Sequence, residues 1–440
     1  MSTLPDSWLT CKLGDVINYS ATQKAEPTEI PDDAWVLELE DIEKDTSKVL
    51  QRLTFKQRQS KSTKCRFETG DILYGKLRPY LNKVVRADQD GYCTTEIIPI
   101  KPNEMVEGSY LFHWLKTPIF IDYVSSVSHG LNMPRLGTEA GKQAPFVLAP
   151  INEQKRIADK LDAVLARVDA CRDRLDRIPA ILKRFRQSVL AAATSGKLTE
   201  EWRADQLDAC KWIDVKLADI ADIQGGVTKD SKKQSLEDEE VPYLRVANVQ
   251  RGHIDLTEVK TIRVPANKLK NLLLEPGDIF FNEGGDIDKL GRGWIWEGQI
   301  ERCSFQNHVF RARLHDKSNQ PKYISWWGNS RGLDYFLRAG KQTTNLASIN
   351  KSLLSGLPIH LPPSAEQTEI VRRVESLFAY ADRLEARHQV ARAQVEKLAP
   401  ATLAKAFRGE LVPQDPNDEP ASVLLQRIHA QRDNKPRARK

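Results

Sequence analysis

Four short stretches of this chain carry side chains suited to chemistry on another molecule. Residues 75–83 present Lys76, Arg78, Tyr80 and Lys83, and residues 128–135 present His129, Asn132 and Arg135. Residues 282–292 present Asn282, Lys289 and Arg292, and residues 340–345 present Lys341, Gln342, Thr343 and Asn345. Guanidinium and ammonium groups donate to guanine O6 and N7, amides pair with adenine N6 and N7, and Lys or Thr holds phosphates. Taken singly, each is an ordinary solvated loop residue. They become candidate DNA contacts because they cluster at matching places in a sequence that is written twice.

At a fixed offset of 213, residues 145–198 lie on 358–411 without a gap, pairing Pro145 with Pro358, Glu153-Gln154 with Glu366-Gln367, Ile157 with Ile370 and Gly196 with Gly409. Upstream the match is fainter. Trp8, Lys12 and Asp15 meet Trp212, Lys216 and Asp219 at offset 204, and Gly70-Asp71-Ile72 meets Gly277-Asp278-Ile279 at offset 207. By Tyr110 and Tyr323, and again at Asn132 and Asn345, the offset has reached 213, so the second copy carries nine more residues in surface insertions. A long-period duplication means two similar units in tandem. Each is a variable block of about 150 residues followed by a better-matched segment of about 45.

The elements that must position the loops follow from periodicity. From Ile157 the apolar positions step by four and three through Leu161, Val164, Val168, Cys171, Leu175, Ile178, Leu182, Phe185, Val189 and Ala192. This is a heptad seam of the coiled-coil kind. The second copy repeats it in register through Ile370, Val374, Leu377, Ala381, Leu384, His388, Ala391, Val395 and Leu398. Ser364 with Gln367 reads as a capping box, and Gly196 and Gly409 as C-terminal caps. Pro179 and Pro400 are expected to kink or break the helices. Two helices with apolar stripes in one chain bury them most simply on each other as an antiparallel pair, with a pseudo-twofold axis across it and a block at either end. Truncating Phe185, if it is buried there, would cost roughly 3–5 kcal/mol. The blocks read as mixed α/β, with strands expected over 35–39, 97–100, 243–246 and 309–314 and after each Gly-Asp-Ile turn.

Composition excludes several classes. The 440 residues are 40% apolar and 29% charged with net charge +6, ordinary for a soluble chain and only mildly favourable to an acidic partner. No 18-residue apolar run occurs, and residues 1–6 lack signal-peptide character, which makes the cytoplasm the expected compartment. Six scattered cysteines without a Cys-x-x-Cys spacing indicate reduced thiols and no metal site. No phosphate-binding loop, dinucleotide fingerprint or Asn-Pro-Pro-Tyr methylase motif is found, and Asp32, Glu38 and Glu40 lack the Glu-x-Lys of a nuclease.

The runs EQKRIADKLDAVLARVD, IPAILKRFRQSVL and SGKLTEEWR, with EIVRRVESLFAYAD and LAKAFRGEL in the second copy and ASVLLQRIHAQRD near the end, resemble the conserved regions of the specificity subunit of type I restriction-modification systems. The resemblance covers the whole plan of the chain. It implies an α+β fold: two mixed α/β target-recognition domains (1–150 and 199–363), separated by two long conserved helices (151–198 and 364–409) that form an antiparallel coiled coil as a pseudo-twofold internal repeat, and a C-terminal segment (410–440). The basic end, residues 435–440, reads as a disordered tail, with a phosphate contact as the alternative. It further implies a non-catalytic reader of double-stranded DNA, with one half of a bipartite asymmetric target per recognition domain and the helices fixing the spacer. Two modification (methyltransferase) subunits and two restriction (ATP-dependent translocase/nuclease) subunits would be its partners, without a membrane. No cofactor is expected on this chain; S-adenosylmethionine, ATP and Mg belong to those partners. The alternatives are a coiled-coil scaffold that binds no DNA, and a reader fused to an unrecognised nuclease or methylase.

Overall fold

The computed structural model describes residues 4–19, 22–130, 132–206, 211–228, 235, 237–285, 290–339, 341–342 and 347–433, with backbone alone for 285, 339, 341–342, 347 and 431–433. The basic tail, residues 435–440, lies outside the described residues. The chain folds as two compact units, Met1–Asp176 with Gln389–Lys440, and Arg177–His388. The division runs through both long helices, so each unit holds one block and part of each helix.

Both units open and close on the same antiparallel ribbon. In unit 1 Leu9–Lys12 pairs with Pro145–Leu148, Lys12 opposite Pro145; in unit 2 Ile213–Lys216 pairs with Pro358–Leu361, Lys216 opposite Pro358. The residues matched between the copies lock this ribbon. Asp15 and Asp219 accept from the backbone N–H of Lys12 (3.0 Å) and Lys216 (2.7 Å). Tyr110 and Tyr323 donate their hydroxyls to Val147 O (2.9 Å) and His360 O (2.7 Å). Trp114 and Trp327 donate to Pro145 O (2.9 Å) and Pro358 O (2.7 Å). Where the copies diverge, the cause is local. Thr117 caps a new helix and Pro118 occupies its first turn, so unit 1 has Gly108–Trp114 followed by Pro118–Val127, whereas unit 2 runs on as Pro321–Ala339.

Each unit has a three-stranded antiparallel sheet in which the strand after Gly-Asp pairs with a later strand, Ile72–Gly75 with Ile97–Ile100 in unit 1 and Ile279–Asn282 with Val309–Leu314 in unit 2. The third strand differs: Val84–Arg86 lies on Ile72–Gly75, whereas Ala221–Gly225 lies on Val309–Leu314. A five-stranded mixed sheet completes the first block, with Trp35–Leu37 parallel to Gly91–Thr94. The strand expected over 35–39 stops at Leu37, because Leu39–Asp41 turns as a 3-10 helix stapled by Glu38 N–H to Asp41 (2.7 Å). The strand expected over 243–246 is Glu239–Leu244.

The first long helix spans Ile151–Thr194 and the second Ser364–Ala406, each about 65 Å at 1.5 Å per residue. Their ion pairs show the antiparallel sense. In unit 1 Arg172 meets Glu396 (3.5 Å) while Asp176 meets Arg392; in unit 2 Arg186 meets Asp382 and Glu385 (both 2.7 Å), and Arg373 donates to Leu198 O (2.8 Å). Along the stripe Ile157, Leu161, Val168, Leu182, Ile370, Val374 and Ala381 are buried. Val164, Leu175, Phe185, Leu377, Leu384 and Val395 are half-buried.

Several expectations about the helices are corrected. Leu398 is 47% exposed and Cys171 is also exposed, so neither belongs to the seam. A straight helix drifts about 20° per heptad from a 3.5-residue repeat, and beyond Val395 the covered stripe passes through Ala399 to Leu403. Neither Pro179 nor Pro400 breaks its helix; both are exposed, and the packed face carries the chain past the missing N–H. Ser364 is already helical, and Gln367 is fully buried with its amide donating to Pro362 O (2.8 Å) and Asn319 (2.8 Å), so no capping box forms there. Gly196 and Gly409 follow the helix ends at φ 77° and 76°, the left-handed region that favours glycine. Because Phe185 is only half-buried, its truncation to alanine is expected to cost about 2 kcal/mol rather than the roughly 3–5 kcal/mol of a fully buried ring. Urea denaturation reads the difference; a loss above 4 kcal/mol would show the ring to be enclosed.

The helix ends finish the cores. Leu403, Ala406 and Phe407 pack with Tyr110, Trp114 and Phe146 in unit 1, joined by Ala421, Leu424 and Ile428 of the C-terminal helix Ala421–Asp433. Val189 and Ala193 pack with Leu217, Tyr323 and Ile370 in unit 2.

A charged triplet near the start of the second helix gives unit 2 an acid-sensitive element. Glu369 accepts from Arg372 (2.7 and 2.8 Å) and Arg373 (2.6 Å), and those bonds, Arg372 first, draw its carboxyl from 4.5 down to about 2. A carboxyl depressed in the folded state stabilises fully above its unfolded pKa and loses that contribution as pH falls through the folded value. Acid titration of Glu369→Gln is therefore expected to show a shallower loss of stability between pH about 4.5 and about 2; identical slopes would refute the assignment.

Candidate nucleic-acid interface

In unit 1 the strand Ile72–Gly75 delivers the first loop, and the end of Pro118–Val127 delivers the second. The two are laced together. Leu77 bridges Arg135, Arg78 N–H donates to Pro134 O (2.7 Å), Leu136 N–H donates to Lys76 O (2.9 Å), and His129 bridges Arg135. Arg78 (φ 50°) and Asn82 (φ 48°) take left-handed backbone on either side of the turn Pro79–Leu81. That turn holds Arg78 and Tyr80 in solvent: Arg78 is exposed and Tyr80 is 50% exposed.

Unit 2 repeats the lacing at the equivalent positions. Gly284 pairs with Ser348 where Leu77 bridges Arg135, Ile349 N–H donates to Glu283 O (2.7 Å) where Leu136 donates to Lys76, and Lys341–Gln342 adds a third strand. Both loops lean on a further strand in the same way, through Lys76 N–H to Glu96 O (3.0 Å) and Glu283 N–H to His308 O (3.0 Å). Here the side chains diverge. In unit 1 Glu96 accepts from Arg135 (3.0 Å); in unit 2 Glu283 and His308 pair with each other (2.5 Å). The backbone frame is shared and the charges displayed on it differ.

The sequence-derived candidates divide accordingly. Arg78, Tyr80, His129, Asn132 and Arg135 are brought together on one exposed surface; Arg78 also donates to Asn132 O (3.4 Å). Lys76 is half-buried between the loops. Lys83 is a structural residue: its ammonium donates to Leu39 O (2.6 Å), which ties the loop to the neighbouring sheet. Asn282 is a clear correction, since it is fully buried and its amide donates to Val249 O (2.9 Å) and Val246 O (3.3 Å). It comes from a strand position facing inward, which a loop assignment concealed. Arg292 is half-buried and donates to Val246 O (3.2 Å). Lys289, Thr343 and Asn345 lie outside the described residues, and Lys341 and Gln342 are placed by backbone alone.

Glu96, Glu283, His308 and the exposed Met133 (48%) escaped the sequence reading. An alignment anchored on the Gly-Asp-Ile strands would have matched Lys76 with Glu283; nothing in the local sequence marks Glu96 or His308.

Other chemistry-bearing residues are structural. The Trp8 indole donates to Glu153 (2.8 Å) as that of Trp212 does to Glu366 (2.8 Å), and Glu366 also accepts from Thr199 (2.7 Å) and Arg203 (3.0 Å). Burial, the largest influence on Glu153, raises its carboxyl pKa. Glu38 pairs with Lys64 (2.8 Å) and Glu40 with Arg58 (3.2 Å), so the acidic residues that raised a nuclease possibility are engaged in ion pairs. Among the described residues no group of three or more His, Cys, Asp or Glu could hold a metal, and no helix is long and apolar enough to cross a membrane.

Comparison with known proteins meets this geometry. The family of the type I restriction modification DNA specificity domain matches the chain twice, at residues 5–180 and 210–391. The chain is 32% identical over 345 residues to the type I restriction enzyme EcoKI specificity subunit of Escherichia coli K12, covering 76% of this chain and 74% of that one. It is 34% identical over 344 residues to the StySPI specificity subunit of Salmonella potsdam, covering 76% and 73%. The crystal structure of the HsdS subunit from Thermoanaerobacter tengcongensis superposes with TM-score 0.60 at 21% identity, over 93% of this chain and 98% of that one. A chain from a structure of complex assembly and conformational transition of the type I R-M system superposes with TM-score 0.67 at 20% identity, over 93% and 99%.

Proposed function

The chain belongs to the family of type I restriction modification DNA specificity subunits, the non-catalytic recognition components of type I restriction-modification complexes, and from that premise we propose that each of its blocks reads one half of a bipartite, asymmetric duplex target. The observation that carries this reading is the doubled loop frame. The same backbone bridges hold two loops together in both units, at Leu77–Arg135 and at Gly284–Ser348, while the side chains on the frame differ. A shared frame supports a shared task, and different side chains support different half-sites.

In unit 1 the bases would be met by Arg78 and Asn132, with Tyr80, His129 and Arg135 beside them. A guanidinium fits guanine O6 and N7, and an amide fits adenine N6 and N7. In unit 2 the corresponding donors would come from the strand-bound loop around Lys341 and Gln342. Methylation at adenine N6, with S-adenosylmethionine, would be carried out by two modification subunits docked on this chain, and ATP- and Mg-dependent cleavage by two restriction subunits. The paired helices would fix the unspecified spacer between the half-sites.

Arg78→Ala tests the assignment, because its side chain is exposed and its removal leaves the core intact. In the assembled complex, sequencing of methylated sites is expected to show relaxed discrimination at one position of one half-site, worth about 1–3 kcal/mol, with the other half unchanged. A uniform fall in affinity across all sequences would make Arg78 a phosphate contact. An unaltered methylation pattern would remove it from the interface.

A further inference from the structure

Unit 1 contains a partly open cavity of about 290 Å³ where the first block meets both long helices. One wall is apolar, built from Ile121, Leu165, Ala399, Pro400 and Leu403. The polar wall contains groups that are satisfied and groups that are not. Asp169, Arg172 and Glu396 form a closed run of ion pairs (2.7 and 3.5 Å), and the Thr46 hydroxyl donates to Glu43 (2.5 Å).

Three lining groups remain. Asn82 is only 7% exposed, yet its side-chain oxygen is enclosed without a donor. A buried acceptor left in that state costs about 1–3 kcal/mol. The Lys116 ammonium lies 5.0 Å over the Phe112 ring, and among the described residues no carboxylate stands within ion-pair distance of it. Burial pushes its pKa down to about 8, outweighing the opposing pull of the more distant Asp169 and Asp45 carboxylates. Asp45 stands exposed at the mouth of the same cavity and, among the described residues, has no ion-pair partner.

We infer that this cavity binds a small zwitterion of the free α-amino-acid type, its carboxylate on Lys116, its ammonium on Asn82 Oδ1 and Asp45, and an aliphatic side chain against Leu165, Ile121 and Leu403. The set is one cation without an ion pair, one buried amide acceptor without a donor and one carboxylate at the mouth, beside an apolar wall, and a zwitterion with an aliphatic body fits every member of it. A simple anion would leave the buried Asn82 acceptor unmatched, and a simple amine would leave Lys116 without an anion. The cavity volume falls at the small end of the range of ligand pockets. Asn82 also ends the turn Pro79–Leu81 that displays Tyr80, so an occupant would brace that turn from behind.

Thermal unfolding of the full chain with L-leucine, L-leucinamide or N-acetyl-L-leucine at equal millimolar concentration tests the inference without DNA. Leucine is expected to raise Tm by several degrees, while leucinamide, lacking the carboxylate, and the acetyl derivative, lacking the ammonium, leave it unchanged. Lys116→Met should abolish the rise. Asp45→Asn should weaken it, and it keeps the fold testable because Asp45 sits at φ 63°, where asparagine is tolerated. No shift with leucine, an equal shift with either derivative, or an undiminished shift in either variant would overturn the assignment.

Discussion

Phe407→Ala is expected to destabilise unit 1 by about 3–5 kcal/mol, the cost of removing a buried aromatic ring from a packed core. Phe407 is 3% exposed, and its ring centroid lies 5.0 Å from those of both Tyr110 and Trp114. Those two rings hold the closing strand through Val147 O and Pro145 O, so the void would open beside the ribbon that ends the block. The residue lies near the far end of the chain, yet it completes a core begun at Trp8 and Leu13. Its counterpart at offset 213 is Thr194, 3% exposed, whose hydroxyl donates to Leu190 O (2.9 Å). Thr194→Ala should therefore cost only about 1 kcal/mol. Urea unfolding followed by tryptophan fluorescence compares the two, and a Phe407→Ala loss below about 1 kcal/mol would show that the C-terminal residues do not belong to this core.

Lengthening both long helices by one heptad is expected to abolish methylation at the native target and move it to sites with a longer spacer. Seven residues add about 10 Å of helix at 1.5 Å each, close to three base pairs at about 3.4 Å per step. The placement matters. The segment from Leu190 to Trp202 is not free spacer, because Ala193 is in the unit 2 core and Thr199 and Arg203 hold Glu366. Insertions belong near Leu175 and Ala391, where the stripe is half-buried and ion pairs such as Asp176–Arg392 replace apolar packing. Mapping methyladenine in the variant complex decides the matter. Unchanged half-sites three base pairs further apart support the ruler role; changed half-sites with the native spacer refute it.

How much was legible beforehand varied with the kind of interaction. The duplication, the paired helices and their antiparallel sense followed from residue spacing, because periodic burial leaves a periodic record in sequence. The register of that record drifted where the helix did: Leu398 fits a strict heptad but faces solvent. The matched residues Trp8, Glu153 and Tyr110 were visible as a pattern whose meaning was not. They proved to be hydrogen-bonded clasps between strand and helix, made across separations such as the 145 residues from Trp8 to Glu153.

The sequence alone determined that the protein is a tandem of two similar units on a helical frame, since local propensity, heptad spacing and duplication can be read along the chain without its contacts. Only the tertiary structure decided which cations and amides face outward. Asn282 and Arg78 sit just beyond equivalent Gly-Asp-Ile starts, yet one is sealed in a core and the other stands in solvent on a left-handed turn. That outcome depends on strand length and on what the distant segment holds: Pro134 takes the Arg78 backbone N–H and leaves the side chain outside, whereas Val249 takes the Asn282 side-chain amide. Contacts between remote segments leave no periodic mark in the chain, so packing settles them.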